Sequence, residues 1–169
     1  MGLFPWRKRK PSPKEVMRGL RDRALECSAD ELGVAPTPDL PHVFGILMET
    51  CYEKAVVSLV AFVDGGASLY FSTGGGVLGA GEHASVRATL QPFFRAAEAG
   101  INCFAPATAT AYPDRGRVRF YVRTFQGTLT AEGDEQDLGR MRHELSPVFH
   151  AGHAVIAAVR EATGGWGAA

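Results

Sequence analysis

The residues best suited to chemistry cluster in a glycine-dense stretch, Gly74-Gly75-Gly76-Val77-Leu78-Gly79-Ala80-Gly81, followed by Glu82 and His83. An apolar strand runs into it and a helix leaves it. Gly74, Gly76 and Gly79 satisfy a GxGxxG spacing. Such glycines let backbone N–H groups approach a phosphate at a helix N-terminus. The context does not fit a dinucleotide site. The preceding strand belongs to an antiparallel meander, and no second parallel strand brings an acid to a ribose. No GK[ST] follows, so the stretch is not a Walker loop. The readings that remain are a close-packed corner, a partner surface and an anion cradle.

A second candidate is a row of arginines. Arg117, Arg119 and Arg123, with Arg115 before them, share parity with Tyr121, and alternate residues of a strand share a face. A basic stripe with one aromatic suits an acidic protein or a phosphate. The plainer reading is an edge strand guarded by charge, with Glu132 opposite across the hairpin. His150 and His153 stand three apart on the last helix, after His143-Glu144, a spacing that can serve a metal. A wheel count turns both outward, so surface histidines are expected and no metal or cofactor is assigned. Cys51 could meet His42 or His83 only in space, and Ser72-Thr73 lies in no nucleophile elbow. No residue is assigned to catalysis.

The elements that must hold these residues are legible in outline. Ser12, Pro13 and Glu15 begin a helix with a capping box, its apolar stripe at Val16, Leu20 and Ala24, with Lys14, Arg18 and Arg21 elsewhere. Ser28 and Glu31 cap a short turn ending at Gly33. Prolines 36, 38 and 41 make an extended connector. Val43–Thr50, Ala55–Val63 and Ser68–Ser72 read as strands buried on both faces, joined by short turns, the second at Asp64-Gly65-Gly66. Connections that short make them an antiparallel meander. The next helix starts near Glu82 with its stripe at Val86, Leu90, Phe93, Phe94 and Ala97, and Pro92 predicts a kink or split near Leu90. Arg117–Phe125 and Thr128–Glu132 form a hairpin. Asp134–Gly139 reads as a polar loop, and Ser146-Pro147 starts the last helix.

The expected fold is therefore α/β of the α+β type, in the order α-βββ-α-ββ-α. A five-stranded antiparallel sheet would carry the middle helix on one side and the terminal helices on the other. Over residues 13–163 this element order resembles roadblock-like and profilin-like domains. It departs from roadblock domains in splitting its strands three plus two instead of two plus three. The resemblance implies a module that binds partners and assembles scaffolds, and it carries no individual residues across.

Composition sets the bounds. The chain has 169 residues, 46% hydrophobic and 21% charged, with no net charge. One domain is expected over residues 12–163, between a basic tail at 1–11 and a flexible tail at 164–169. Residues 1–24 carry eight Lys/Arg against Glu15 and Asp22, leaving the body acidic, which argues against nucleic acid. Phe4 and Trp6 beside Arg7, Lys8, Arg9 and Lys10 could touch an anionic membrane surface. Three cysteines without CxxC spacing point to a reducing compartment. No run reaches the roughly 18 apolar residues of a spanning helix, and no secretory leader is seen. The reading is a cytoplasmic protein, with peripheral membrane contact as an option. The expected function is a non-catalytic interaction or scaffold module that binds a protein partner or itself. The alternative is a nucleotide or small-molecule binder using Gly74–Gly81.

Overall fold

A computed structural model describes residues 9–165. The tail reading that rests on Phe4, Trp6, Arg7 and Lys8 lies outside the described residues, as does the chain beyond Gly165. Among the described residues no helix is long and apolar enough to cross a membrane.

All strands lie in one antiparallel sheet. The meander is β1 (Val43–Cys51), β2 (Val56–Phe62) and β3 (Ala67–Phe71), and the hairpin is β6 (Arg117–Thr124) with β7 (Gly127–Asp134). Two further strands, β4 (Gly76–Val77) and β5 (Ala105–Pro106), close the edges, so the order is β4-β3-β2-β1-β6-β7-β5. The sheet thus has seven strands where five were expected. Both additions are two residues long, below what side-chain alternation can reveal in a sequence. Each covers only part of its neighbour, β4 at Leu69 and Tyr70 of β3 and β5 at Leu129 and Thr130 of β7.

The helices are α1 (Pro13–Glu26), α2 (Ala29–Leu32), α3 (Ala84–Ala99), α4 (Glu135–Gly139) and α5 (Ser146–Ala162). Both capping boxes form: Ser12 with Glu15, and Ser28 with Glu31. The Ser28 backbone N–H, and then Arg23, lower the Glu31 carboxyl to about 2. The expected loop at 134–139 is instead the helical turn α4, capped by the Asp134 carboxylate on the Gln136 and Asp137 amides. α3 begins at Ala84, after a single 3-10 turn at Ala80–Glu82, and runs unbroken through Pro92. Pro92 lies on the exposed face. Ala88, four residues earlier, is exposed too, so water can take the carbonyl that proline leaves unbonded.

The layers differ from expectation in one respect. α3 and α5 share a face, and α1 with the segment 107–112 covers the other. The larger core unites Phe93, Phe94, Val155 and Val159 with Ile46, Met48, Phe120 and Val122. α5 seats at Gly152, where a Cβ would stand 2.6 Å from the Met48 sulfur and 3.1 Å from the Phe93 ring. The smaller core joins Ala24, Leu25, Met17 and Leu20 to Leu47, Val60, Tyr70 and Tyr121. The buried side of α1 is thus rotated from the expected stripe, leaving Val16 exposed and Arg21 buried.

Candidate functional site

The glycine stretch is spent on packing. Gly76 lies in β4, and a Cβ there would sit 2.1 Å from the Leu69 carbonyl. At Gly81 a Cβ would stand 1.8 Å from the Gly65 carbonyl, so only glycine lets this corner close on the β2–β3 hairpin. Four amides of this stretch bond within the chain. Gly74 N–H donates to Phe71, Gly79 to the Ser68 hydroxyl, Glu82 to Gly79 and His83 to Ala80. Gly75 accepts from Phe71 N–H at 3.1 Å. His83 is the N-cap of α3, with no side-chain capping bond. The hollow beside the loop holds about 220 Å³ and is lined by Asp64, Glu82 and Arg87; the arginine donates to the Gly81 carbonyl at 2.9 Å.

The arginine row lies on the α1 side of the sheet, where Arg123 alone bonds to α1 and the Arg117 side chain stays 39% exposed, and β6 is an internal strand between β1 and β7, not an edge. Val118, Phe120 and Val122 lie in the opposite core, as the alternation requires. Arg117 and Arg119 share the Glu132 carboxylate, and Arg119 also donates to the Ala111 and Tyr112 carbonyls. Burial works to raise the Glu132 carboxyl, but the two arginines hold it below its ordinary value. Tyr121 is 1% exposed, its hydroxyl donating to the Ala111 carbonyl at 2.6 Å. Arg123 caps the end of α1, donating to the Leu25 and Cys27 carbonyls and to Thr128. A cation there suits the helix C-terminus. Arg115 precedes the strand and pairs with Glu53 at 3.3 Å.

One ion pair under α1 was not foreseen. Glu49 is fully buried and takes a two-pronged contact from Arg21, at 2.6 and 2.8 Å, and the Ser58 hydroxyl at 2.7 Å. Arg21 also donates to the Thr110 carbonyl and lies over the Tyr112 ring. A carboxylate inside an apolar strand run was the legible sign, because such a group demands a buried cation.

The histidines divide. His150 is exposed, but His153 is half-buried, its ring 4.3 Å from Phe149, and burial and then His150 lower its pKa. The expected outward turn therefore fails for His153. Among the described residues no group of His, Cys, Asp and Glu could hold a metal. Cys27, Cys51 and Cys103 are free thiols. His42 precedes β1 and Cys51 ends it, about 30 Å apart at the usual strand rise. His83 also lies toward the hairpin end of the sheet, so neither pairs with Cys51.

A cavity of about 530 Å³ opens where the end of α3, β5 and the β6–β7 turn meet. Gly100 ends α3, and a 3-10 turn at Ile101–Cys103 leads the chain into β5, whose Ala105 and Pro106 face Thr130 and Leu129 of β7. Across the cavity the tight turn sets Gln126: its N–H reaches the Thr124 hydroxyl, which in turn donates to the Gly127 carbonyl at 2.7 Å. His42 is held on several sides. Its carbonyl accepts from Phe125, its N–H donates to Glu98, and its Nδ1 stands 2.5 Å from the other Glu98 oxygen. Val43 N–H completes that carboxylate at 2.9 Å. With Nδ1 committed, Nε2 is the nitrogen left to a ligand. Asn102 and Gln126 also line the cavity; both are exposed, and their side-chain amides bond to no other described residue. Glu98 lies 56 positions from His42, so no local motif announces this site. No family model matches the chain, and no curated protein or solved structure matches it.

Proposed function

We propose that this chain is a non-catalytic interaction module that binds a protein partner, with the contact made at the His42 cleft. What carries this reading is a difference in commitment. The glycine loop and the arginine row already serve the chain's own packing. Among the described residues the cleft brings together an oriented imidazole, two exposed side-chain amides and apolar walls in a hollow of about 530 Å³. Pockets of this size and mixed lining are the usual places for ligands. The element order, similar in outline to roadblock-like and profilin-like scaffolds, agrees with such a role.

The test places a photoreactive amino acid at Gln126 and irradiates the full chain in a lysate of its source cells. A discrete cross-linked protein, absent when the probe stands at Leu78, is the expected result. A second copy of this chain, caught at Gln126 and matched by a dimer in light scattering, would make the contact self-association. Labelling equal at both positions would overturn the proposal.

A further inference from the structure

Building on the cleft as the contact site, we infer that its occupant is an uncharged, extended peptide segment. Asn102 and Gln126 read its backbone, and an aliphatic side chain lies against Ile101, Pro106 and Leu129. Four observations lead there.

The first is the chemistry on offer. Each side-chain amide presents an N–H donor and a carbonyl acceptor, the complement of one peptide group. Asn102 and Gln126 come from two different elements of the lining, one in the turn after α3 and the other in the β6–β7 turn. His42 adds a third contact. Nδ1 is taken up by the Glu98 carboxylate, so Nε2 is the ring nitrogen that faces a ligand.

The second is charge. No lysine or arginine lines the cleft; the Glu98 carboxylate stands behind His42, and the nearby Arg123 is taken up by the Leu25 and Cys27 carbonyls and the hydroxyl of the lining Thr128. A phosphate, a nucleotide or an acidic side chain would leave water here with no uncommitted lysine or arginine to meet it, which is costly. A neutral ligand rich in hydrogen bonds pays no such penalty.

The third is the form of the apolar wall. Phe104 is 9% exposed and stands edge-on to Phe120, so it offers no open ring face. A sugar ring or a base seeks a flat aromatic platform. The exposed apolar surface is aliphatic instead, which suits a leucine or valine side chain. The fourth is size: 530 Å³ lies within the range of about 300–1,000 Å³ for well-formed ligand sites.

The probe is N-acetyl-leucine N-methylamide, which has two peptide groups and one aliphatic side chain, titrated into the ¹⁵N-labelled full chain. Saturable shifts are expected at the side-chain amides of Asn102 and Gln126 and at the backbone of Thr128. N-acetyl-glycine N-methylamide should bind more weakly at the same resonances. The double variant N102A/Q126A, its dispersed spectrum reporting an intact fold, should weaken the leucine probe about tenfold, the effect of losing two neutral hydrogen bonds. No saturable shift, or equal shifts from inorganic phosphate or N-acetylglucosamine, would overturn the inference. If a protein cross-links at Gln126 while the leucine probe leaves the cleft unmoved, the module stands and the peptide inference falls. If the probe binds but no protein is caught, the recognition chemistry stands and the module falls.

Discussion

On one face of the sheet, α3 and α5 meet the strands through Phe93, Phe94, Val155, Met48 and Phe120, with hardly a polar atom among them. On the other, α1 brings a modest apolar stripe and is pinned by charges, Arg21 on Glu49 and Arg123 on the carbonyls that end α1. The first face is held by area and close fit, which give large energies and little direction. The second is held by directional bonds. Burying Arg21 and Glu49 costs desolvation that their attraction roughly offsets. Their contribution lies in placement: Glu49 receives α1 at one register, and the Thr110 and Ala111 carbonyls are drawn to Arg21, Arg119 and Tyr121. Adhesion is thus concentrated on one face and alignment on the other.

The sharpest way to break the contrast is Glu49→Leu. It leaves the buried Arg21 with only the half-exposed Asp22 carboxylate, 3.6 Å away, and should cost about 3–4 kcal/mol in urea unfolding. Replacing both partners, Arg21→Met with Glu49→Leu, should recover most of that loss. If the double variant is as unstable as the single, the pair is a source of stability and the contrast fails. Phe93→Ala on the apolar face should cost about 3–4 kcal/mol, because a cavity remains that the flexible Met48 fills only in part. No second substitution opposite it should restore the loss as the charge pair's does.

The smallest effect is in the pH profile. The folded His153 lies below its ordinary value of 6.5, chiefly through burial, so the unfolded chain takes up this proton first as the pH falls. Stability should therefore decline from pH 6.5 down to the lowered folded value and be fully present above 6.5. His153→Phe, which keeps the ring against Phe149, should flatten that part of the curve. An unchanged slope would exclude His153 as its source.

Local chemistry in the sequence marked much of the fold. Ser12 with Glu15, Asp64-Gly65-Gly66 and the alternation through Arg117–Arg123 each act within a few residues and formed as read. The shares of the two faces were not legible, because which helices pair depends on close fits such as Gly152 on Met48 and Phe93. β4 and β5 are too short for a periodic pattern. The site was the least legible part. Gly74–Gly81 drew attention through a spacing that also serves close packing. Asn102, Gln126, Glu98 and His42 belong to no motif and come together only when the end of α3 reaches the start of β1.

The most direct measurement compares photo-cross-linking yields from Gln126, in the cleft, and from Leu78, beside the glycine loop. The account predicts a partner caught from Gln126 and none from Leu78. A partner caught from Leu78 instead would return the contact to the glycine loop and contradict it.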